Sequence, residues 1–303
     1  MTGESSVTVG LEEASDEGER HRFSHEAMAT VFEVHCVHED AGYARQAAQA
    51  AFDLVDRLEQ QMSRFIANSD VACVNVLAAG QSARVSPSTM ECLGIARHLF
   101  DLTGGAFDVS IGSGLEGLEL DPDAFAVHAR RDGVRLDLGG IGKGYAVDRA
   151  AELLDEWEMR QSLVHGGFSS VVALEPPPGR DGWPLTLSEP GGRRVLARLS
   201  ARLQALSASG TRKGDHIVDP RTGRKAPRRA TWVSIPRGPD PGGSPAAVAD
   251  ALTTAFMVLT EQEIADLCRD VPGLTAWLLL EPLEGGKAGP RLVHLAGPPR
   301  DGS

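Results

Sequence analysis

The stretch Leu136-Asp137-Leu138-Gly139-Gly140-Ile141-Gly142-Lys143-Gly144-Tyr145-Ala146-Val147-Asp148 organises the reading of this chain. Alternating apolar residues from Val134 to Leu138 predict a buried strand. After the glycines, Val147, Ala151, Leu154 and Trp157 recur as the buried face of a helix. A strand that turns into a helix through glycines lets the backbone approach a ligand closely and aims N–H groups at it. Lys143 adds a mobile positive charge where an anion would sit, and Asp137 ends the strand facing the same place. The spacing fits neither GxxxxGK[ST] nor GxGxxG, so two readings stand: a phosphate-handling turn, or a tight strand-to-helix connection.

Working outward, Thr30–Val37 alternates with Phe32, Val34 and Cys36 on one face and predicts a strand. Apolar positions from Tyr43 to Met62 predict a helix, and Ser86-Pro87 caps another that runs to Leu102 before Thr103-Gly104-Gly105. Leu163–Leu174 reads as two strand pieces broken at Gly166-Gly167. Further strands are predicted at Pro184–Ser188, Val195–Leu199, Leu203–Ser207, Thr231–Ile235 and Thr275–Leu280, with a helix at Ala247–Leu259. Glu175–Gly179 and Pro236–Pro245 are loops by composition. Strands and helices mix without steady βαβ alternation, which predicts an α+β fold. Residues 1–20 are expected to be a disordered acidic tail, 21–285 a single domain, and 286–303 a C-terminal strand or tail.

The chain has 303 residues, enough for a large core, and a formal net charge of −12, which argues against nucleic acid or an anionic membrane as partner. Cys36, Cys73, Cys92 and Cys268 show no metal-ligand spacing and read as reduced thiols. The N-terminal residues show no basic segment followed by an apolar one, and no run of 18 apolar residues occurs. The expectation is a cytoplasmic protein without stable membrane insertion.

Asp250 and Thr254 stand four residues apart, one turn apart on one helix face. A carboxylate and a hydroxyl are oxygen donors that suit Mg²⁺, or else Asp250 only complements the helix dipole; Thr253 substitutes if the helix is rotated. His216-Ile217-Val218-Asp219-Pro220-Arg221-Thr222-Gly223 sets a histidine of near-neutral pKa before a strong turn, either as a general base or as a turn residue. Ser207-Ala208-Ser209-Gly210-Thr211 offers hydroxyls to phosphate or is a loop. Gly104-Gly105-Ala106-Phe107-Asp108 has the makings of a ring pocket.

Taken together and in order, these segments resemble the FAD:protein FMN transferase family, the ApbE flavin transferases. The resemblance runs from Met28 to Leu259 through Met28-Ala29-Thr30, Met62-Ser63-Arg64-Phe65, Gly105–Gly112, Asp137–Asp148, His216–Gly223 and Ala249–Ala255. It implies an α+β, T-fold-related architecture of two intertwined sheet-and-helix lobes with the flavin site between them. The implied activity is Mg²⁺-dependent transfer of FMN from FAD to a threonine hydroxyl of an acceptor flavoprotein, with release of AMP. Met28, Phe65, Ala106, Phe107, Asp108, Asp137, Lys143 and Val218 would contact FAD. Asp250, Thr254, Thr253 and the Gly140 carbonyl would hold the metal, and His216, Asp250 and Lys143 would serve the chemistry. Ala29 stands where the family has Gly, Phe65 where Tyr is common, and Gly142 where Ala is frequent. The alternatives are an Mg²⁺-dependent FAD pyrophosphatase and a non-catalytic FAD-binding protein.

Overall fold

The computed structural model describes residues 8–11, 20–167, 169–190, 194–210, 217–238, 243–280 and 290–299. The chain begins with β1 (Thr8–Leu11), β2 (Arg20–Ala27), β3 (Thr30–Val37), α1 (Ala41–Met62), α2 (Asp70–Val74), β4 (Ser82–Arg84) and α3 (Pro87–Leu102). Next come β5 (Leu118–Asp121), β6 (Ala126–Ala129), α4 (Gly142–Glu156), β7 (Ser162–Gly166), β8 (Ser170–Ala173) and β9 (Trp183–Ser188). It closes with β10 (Val195–Ala201), β11 (Gln204–Gly210), β12 (Arg228–Pro236), α5 (Pro245–Phe256), α6 (Glu261–Asp270), β13 (Thr275–Leu280) and β14 (Arg291–Ala296).

The architecture is α+β. Eight strands form one sheet in the order β14-β13-β12-β11-β8-β7-β3-β2, with every neighbouring pair antiparallel. Strand alternation sorts its side chains into two cores. Val164, Val172, Ala205, Val233, Ala276 and Leu278 face the helices, chiefly α1, α4 and α5. Leu163, Val171, Leu206, Trp232 and Leu279 face the other way and pack with Trp183, Leu185 and Leu187 of the small sheet β1-β9-β10. A third sheet, β4-β6-β5, lies beside α2 and α3.

Local chemistry explains the helix starts. Asp40 accepts N–H bonds from Gly42 and Tyr43 to cap α1, and Ser86 caps α3 ahead of Pro87. Thr260 and Glu263 form a reciprocal capping box on α6, a helix the apolar periodicity did not reveal.

Several expectations are corrected. Val134–Leu138 is not a strand, although Val134, Leu136 and Leu138 are buried in alternation. The Asn75 amide takes the place of a partner strand, donating to Leu136 O at 2.9 Å and accepting from Leu136 N at 2.6 Å. Within the tail expected to be disordered, Thr8–Leu11 pairs antiparallel with β9. Helix α5 starts at Pro245 and ends at Phe256, so Leu259 lies past its end, and Trp157 caps α4 instead of extending it. All four cysteines are free, and among the described residues no helix is long and apolar enough to cross a membrane.

Candidate active site

The glycine turn opens directly onto the start of α4, whose N-terminus no side chain caps. Gly142 N–H returns to Leu138 O at 2.7 Å, which tightens the turn and throws Lys143 and Gly144 toward α5. Gly144 is indispensable here: a Cβ at this position would lie 2.2 Å from Ala246 O and 2.8 Å from Asp250 Cβ. Because α4 and α5 meet this closely, Gly144 N–H donates to Asp250 Oδ2 at 3.1 Å, and Lys143 Nζ stands 3.9 Å from the same oxygen. Lys143 also donates to the Gly139 carbonyl at 3.3 Å.

Asp250 is only 3% exposed. Burial pushes its carboxyl pKa up, opposed first by Lys143 and then by the Gly144 N–H. The Ser170 hydroxyl is buried without a hydrogen bond, yet lies near enough to favour the charged form of Asp250. One turn on, Thr254 Oγ1 sits against Gly140, where a Cβ would approach it at 3.5 Å. Thr253 turns instead to the sheet: its hydroxyl donates to Asp250 O at 2.7 Å and bonds Ser209 Oγ at 2.8 Å. Thr254 and the Gly139–Gly140 backbone therefore bring oxygens to the cleft itself, and the Asp250 carboxylate lies buried beside Lys143. Among the described residues no group of three His, Cys, Asp or Glu side chains forms a metal cage. One carboxylate with hydroxyl and carbonyl oxygens is a hard donor set, which fits Mg²⁺ sharing its shell with water and phosphate.

Above this floor opens a cleft of about 650 Å³, a size suited to a dinucleotide. Met28, Ala106, Phe107, Asp108, Asp137, Gly140, Lys143, Val218 and Thr254 all line it, so residues from five separate stretches converge. A smaller recess of about 190 Å³ adjoins it between Met28, Met62, Phe65 and Lys143. Phe65, at 82% the most exposed large apolar residue described, stands beside this recess with the Arg64 guanidinium 4.6 Å from its ring centroid. An exposed ring at a cleft mouth is a ready stacking surface.

Two of the expected contact residues carry other duties. Asp108 Oδ1 accepts from Ser110 N and Oγ at 2.7 and 2.6 Å, and Oδ2 accepts from Gly112 N, so this carboxylate builds its own turn. Asp137 Oδ2 pairs with Arg64 at 3.0 Å while Oδ1 accepts from Gly139 N–H, which stiffens the glycine turn. Asp219 is engaged by Arg221, whose guanidinium holds its carboxyl below the usual range. His216 lies outside the described residues.

The structure adds cleft residues the sequence left ambiguous or unread. Ser209 and Gly210 belong to strand β11, not to a loop, and Ser209 reaches the cleft because strand alternation points it at the helices. Ala29, Thr30, Ile111, Gly167, Ser169 and Pro220 also line it. Met28 and Ala29 form the two-residue turn between β2 and β3, both with left-handed φ (51° and 56°).

Comparison with known proteins identifies the family and the fold. The sequence profile of the ApbE family matches residues 28–278. A FAD:protein FMN transferase of Treponema pallidum (strain Nichols) is 27% identical over 288 residues, covering 78% of this chain and 77% of that protein. One from Vibrio cholerae (serotype O1, strain ATCC 39541 / Classical Ogawa 395 / O395) is 25% identical over 277 residues, covering 78% of this chain and 80% of that protein. The solved flavin transferase ApbE from Vibrio cholerae superposes with a TM-score of 0.79 at 18% identity, covering 92% of this chain and 98% of that one, and so shares the fold. The chain belongs to the ApbE family.

Proposed function

We propose that this protein is an Mg²⁺-dependent FAD:protein FMN transferase that joins FMN to a threonine hydroxyl of an acceptor flavoprotein and releases AMP. The observation that carries this reading is that Lys143, Gly140 and Thr254 line one dinucleotide-sized cleft, with the buried Asp250 carboxylate held beside them by Lys143 and the Gly144 N–H. A lysine beside oxygen donors in one cleft is a set suited to a diphosphate and its metal ion. The family relatives named FAD:protein FMN transferase support the same substrate.

In the reaction the acceptor hydroxyl oxygen bonds to the FMN phosphorus, the phosphorus–oxygen bond to the AMP half breaks, and the hydroxyl proton is lost. Such displacement asks little covalent work of the protein, so positioning and charge neutralisation dominate. Lys143 holds diphosphate oxygens, and the turn at Gly139–Gly140 lets the backbone come close to them. Phe107 lines the cleft wall, and the Phe65 ring offers a stacking face beside the adjoining recess. Asp250 and Thr254, with the Gly140 carbonyl, would hold Mg²⁺, which when bound neutralises charge on the diphosphate and on leaving AMP. His216 remains our candidate for the base that takes the threonine proton.

The test is incubation with FAD and Mg²⁺, with and without a threonine-bearing flavoprotein acceptor. AMP release that depends on the acceptor, with an FMN adduct on threonine by mass spectrometry, supports the transferase. AMP without acceptor would make it a pyrophosphatase, and flavin binding with no AMP under any condition would reduce it to a binding protein.

A further inference from the structure

Helix α5 begins with Ser244-Pro245, yet Ser244 makes no cap of its own. The cap comes from α4. Asp148, buried and one turn beyond Gly144, accepts Ala246 N–H at 3.0 Å on Oδ1 and Ala247 N–H at 2.8 Å on Oδ2. Its neighbour Arg149 donates to Gly243 O at 3.2 Å and Ser244 Oγ at 3.3 Å, gripping the approach to the same helix. Arg149 is itself braced by Glu91, at 3.2 Å, which also accepts the Tyr145 hydroxyl at 2.7 Å.

Three contacts thus follow one another down the seam between α4 and α5. Asp148 binds the first N–H groups of α5, Gly144 packs against Ala246 and Asp250 with no space for a Cβ, and Lys143 faces Asp250. The first contact fixes where α5 starts; the second sets how near the helices come; the third is the site itself. A shift of α5 by a fraction of an ångström at Ala246 is carried along a rigid helix to Asp250 and Thr254, about one and two turns farther on.

We propose that Asp148 is a positioning residue that sets the separation between Lys143 and Asp250, a role that presupposes the metal- and diphosphate-binding reading of the site. Asp148 is buried and does not line the cleft. It acts by anchoring the helix that carries the oxygen donors to the helix that carries the cation.

The experiment follows Mn²⁺ binding by electron paramagnetic resonance in the presence of FAD, and FAD binding by flavin fluorescence, at a temperature where circular dichroism shows full folding. Asp148→Ala is expected to weaken Mn²⁺ binding roughly 10- to 100-fold, as removal of a group that orients a metal ligand does. Asp148→Asn, which keeps one acceptor oxygen, is expected to recover part of that loss. Thr260→Ala, which breaks the α6 capping box on a helix that carries none of the site residues, serves as the destabilised control and should keep wild-type Mn²⁺ affinity. A folded Asp148→Ala with wild-type Mn²⁺ affinity would overturn the proposal, and if that variant fails to fold, unchanged affinity in Asp148→Asn overturns it instead. Wild-type protein that binds no Mn²⁺ with FAD present would overturn the functional reading first and this role with it.

Discussion

Lys143 Nζ lies between the Gly139 carbonyl at 3.3 Å and Asp250 Oδ2 at 3.9 Å. Both contacts are long, so a diphosphate oxygen offers its ammonium a stronger partner. Lys143→Ala should therefore weaken FAD binding by about tenfold or more, the worth of one charged hydrogen bond, and fluorescence titration giving unchanged affinity would return the turn to a structural role. Ala29 makes a different kind of case. With φ at 56° it sits in the left-handed region that costs a residue with a Cβ energy, and a glycine would relieve it. Ala29→Gly should raise stability by about 0.5–1 kcal/mol in urea unfolding, and a loss of stability would show that packing at the turn outweighs strain. At this scale the sequence displayed Lys143 and Asp250 through their spacing and neighbours. It did not distinguish Thr253 from Thr254, because helix rotation is set by the sheet beneath, where Ser209 claims the Thr253 hydroxyl.

Elements were legible where periodicity and caps agreed. β3 over Thr30–Val37 and α3 from Pro87 to Leu102 fall where alternation and the Ser86-Pro87 cap placed them. β2, Arg20–Ala27, was missed because its residues are mostly polar at a sheet edge, and β4, β5 and β6 because they are three or four residues long. The segment Val134–Leu138 misled for a sharper reason. It has the alternating burial of a strand, but its backbone groups at Leu136 are satisfied by the Asn75 side chain, 61 positions away, which no local pattern reveals. Asn75→Ala strips both bonds from a buried backbone and should destabilise by about 1–3 kcal/mol. Because Asp137 follows directly, the loss should also loosen the glycine turn and raise the FAD concentration needed for half-saturation. Destabilisation with unaltered FAD affinity would show that the Arg64 pair and the Val109 carbonyl, which accepts Asp137 N–H at 2.8 Å, hold the turn unaided.

Across the whole molecule, the sheet divides two cores and the site sits at the ends of its strands, where α4 and α5 meet above β7, β8 and β11. That arrangement seals Asp148 inside, and burial lifts its carboxyl pKa to about 7 despite the two backbone N–H groups and the more distant Arg149 and Arg237, which lower it. The sign of the resulting pH dependence follows from linkage. Between the ordinary value of 3.8 and about 7, the folded protein keeps a proton on Asp148 that the unfolded chain has released. The associated stability is complete below the unfolded value and is lost as pH rises through the folded one, at about 1.4 kcal/mol per pH unit within that window. His35, whose pKa burial lowers, acts with the opposite sign in part of the same range, so the wild-type curve alone is not diagnostic. The difference between wild type and Asp148→Asn, which cannot titrate, isolates the group. Denaturant unfolding at pH 5, 6, 7 and 8 should show wild type losing stability relative to the variant up to pH 7 and running parallel to it above. Curves that stay parallel from pH 5 upward would mean that the two α5 N–H groups keep Asp148 ionised throughout, making its cap a fixed charge and not one that titrates.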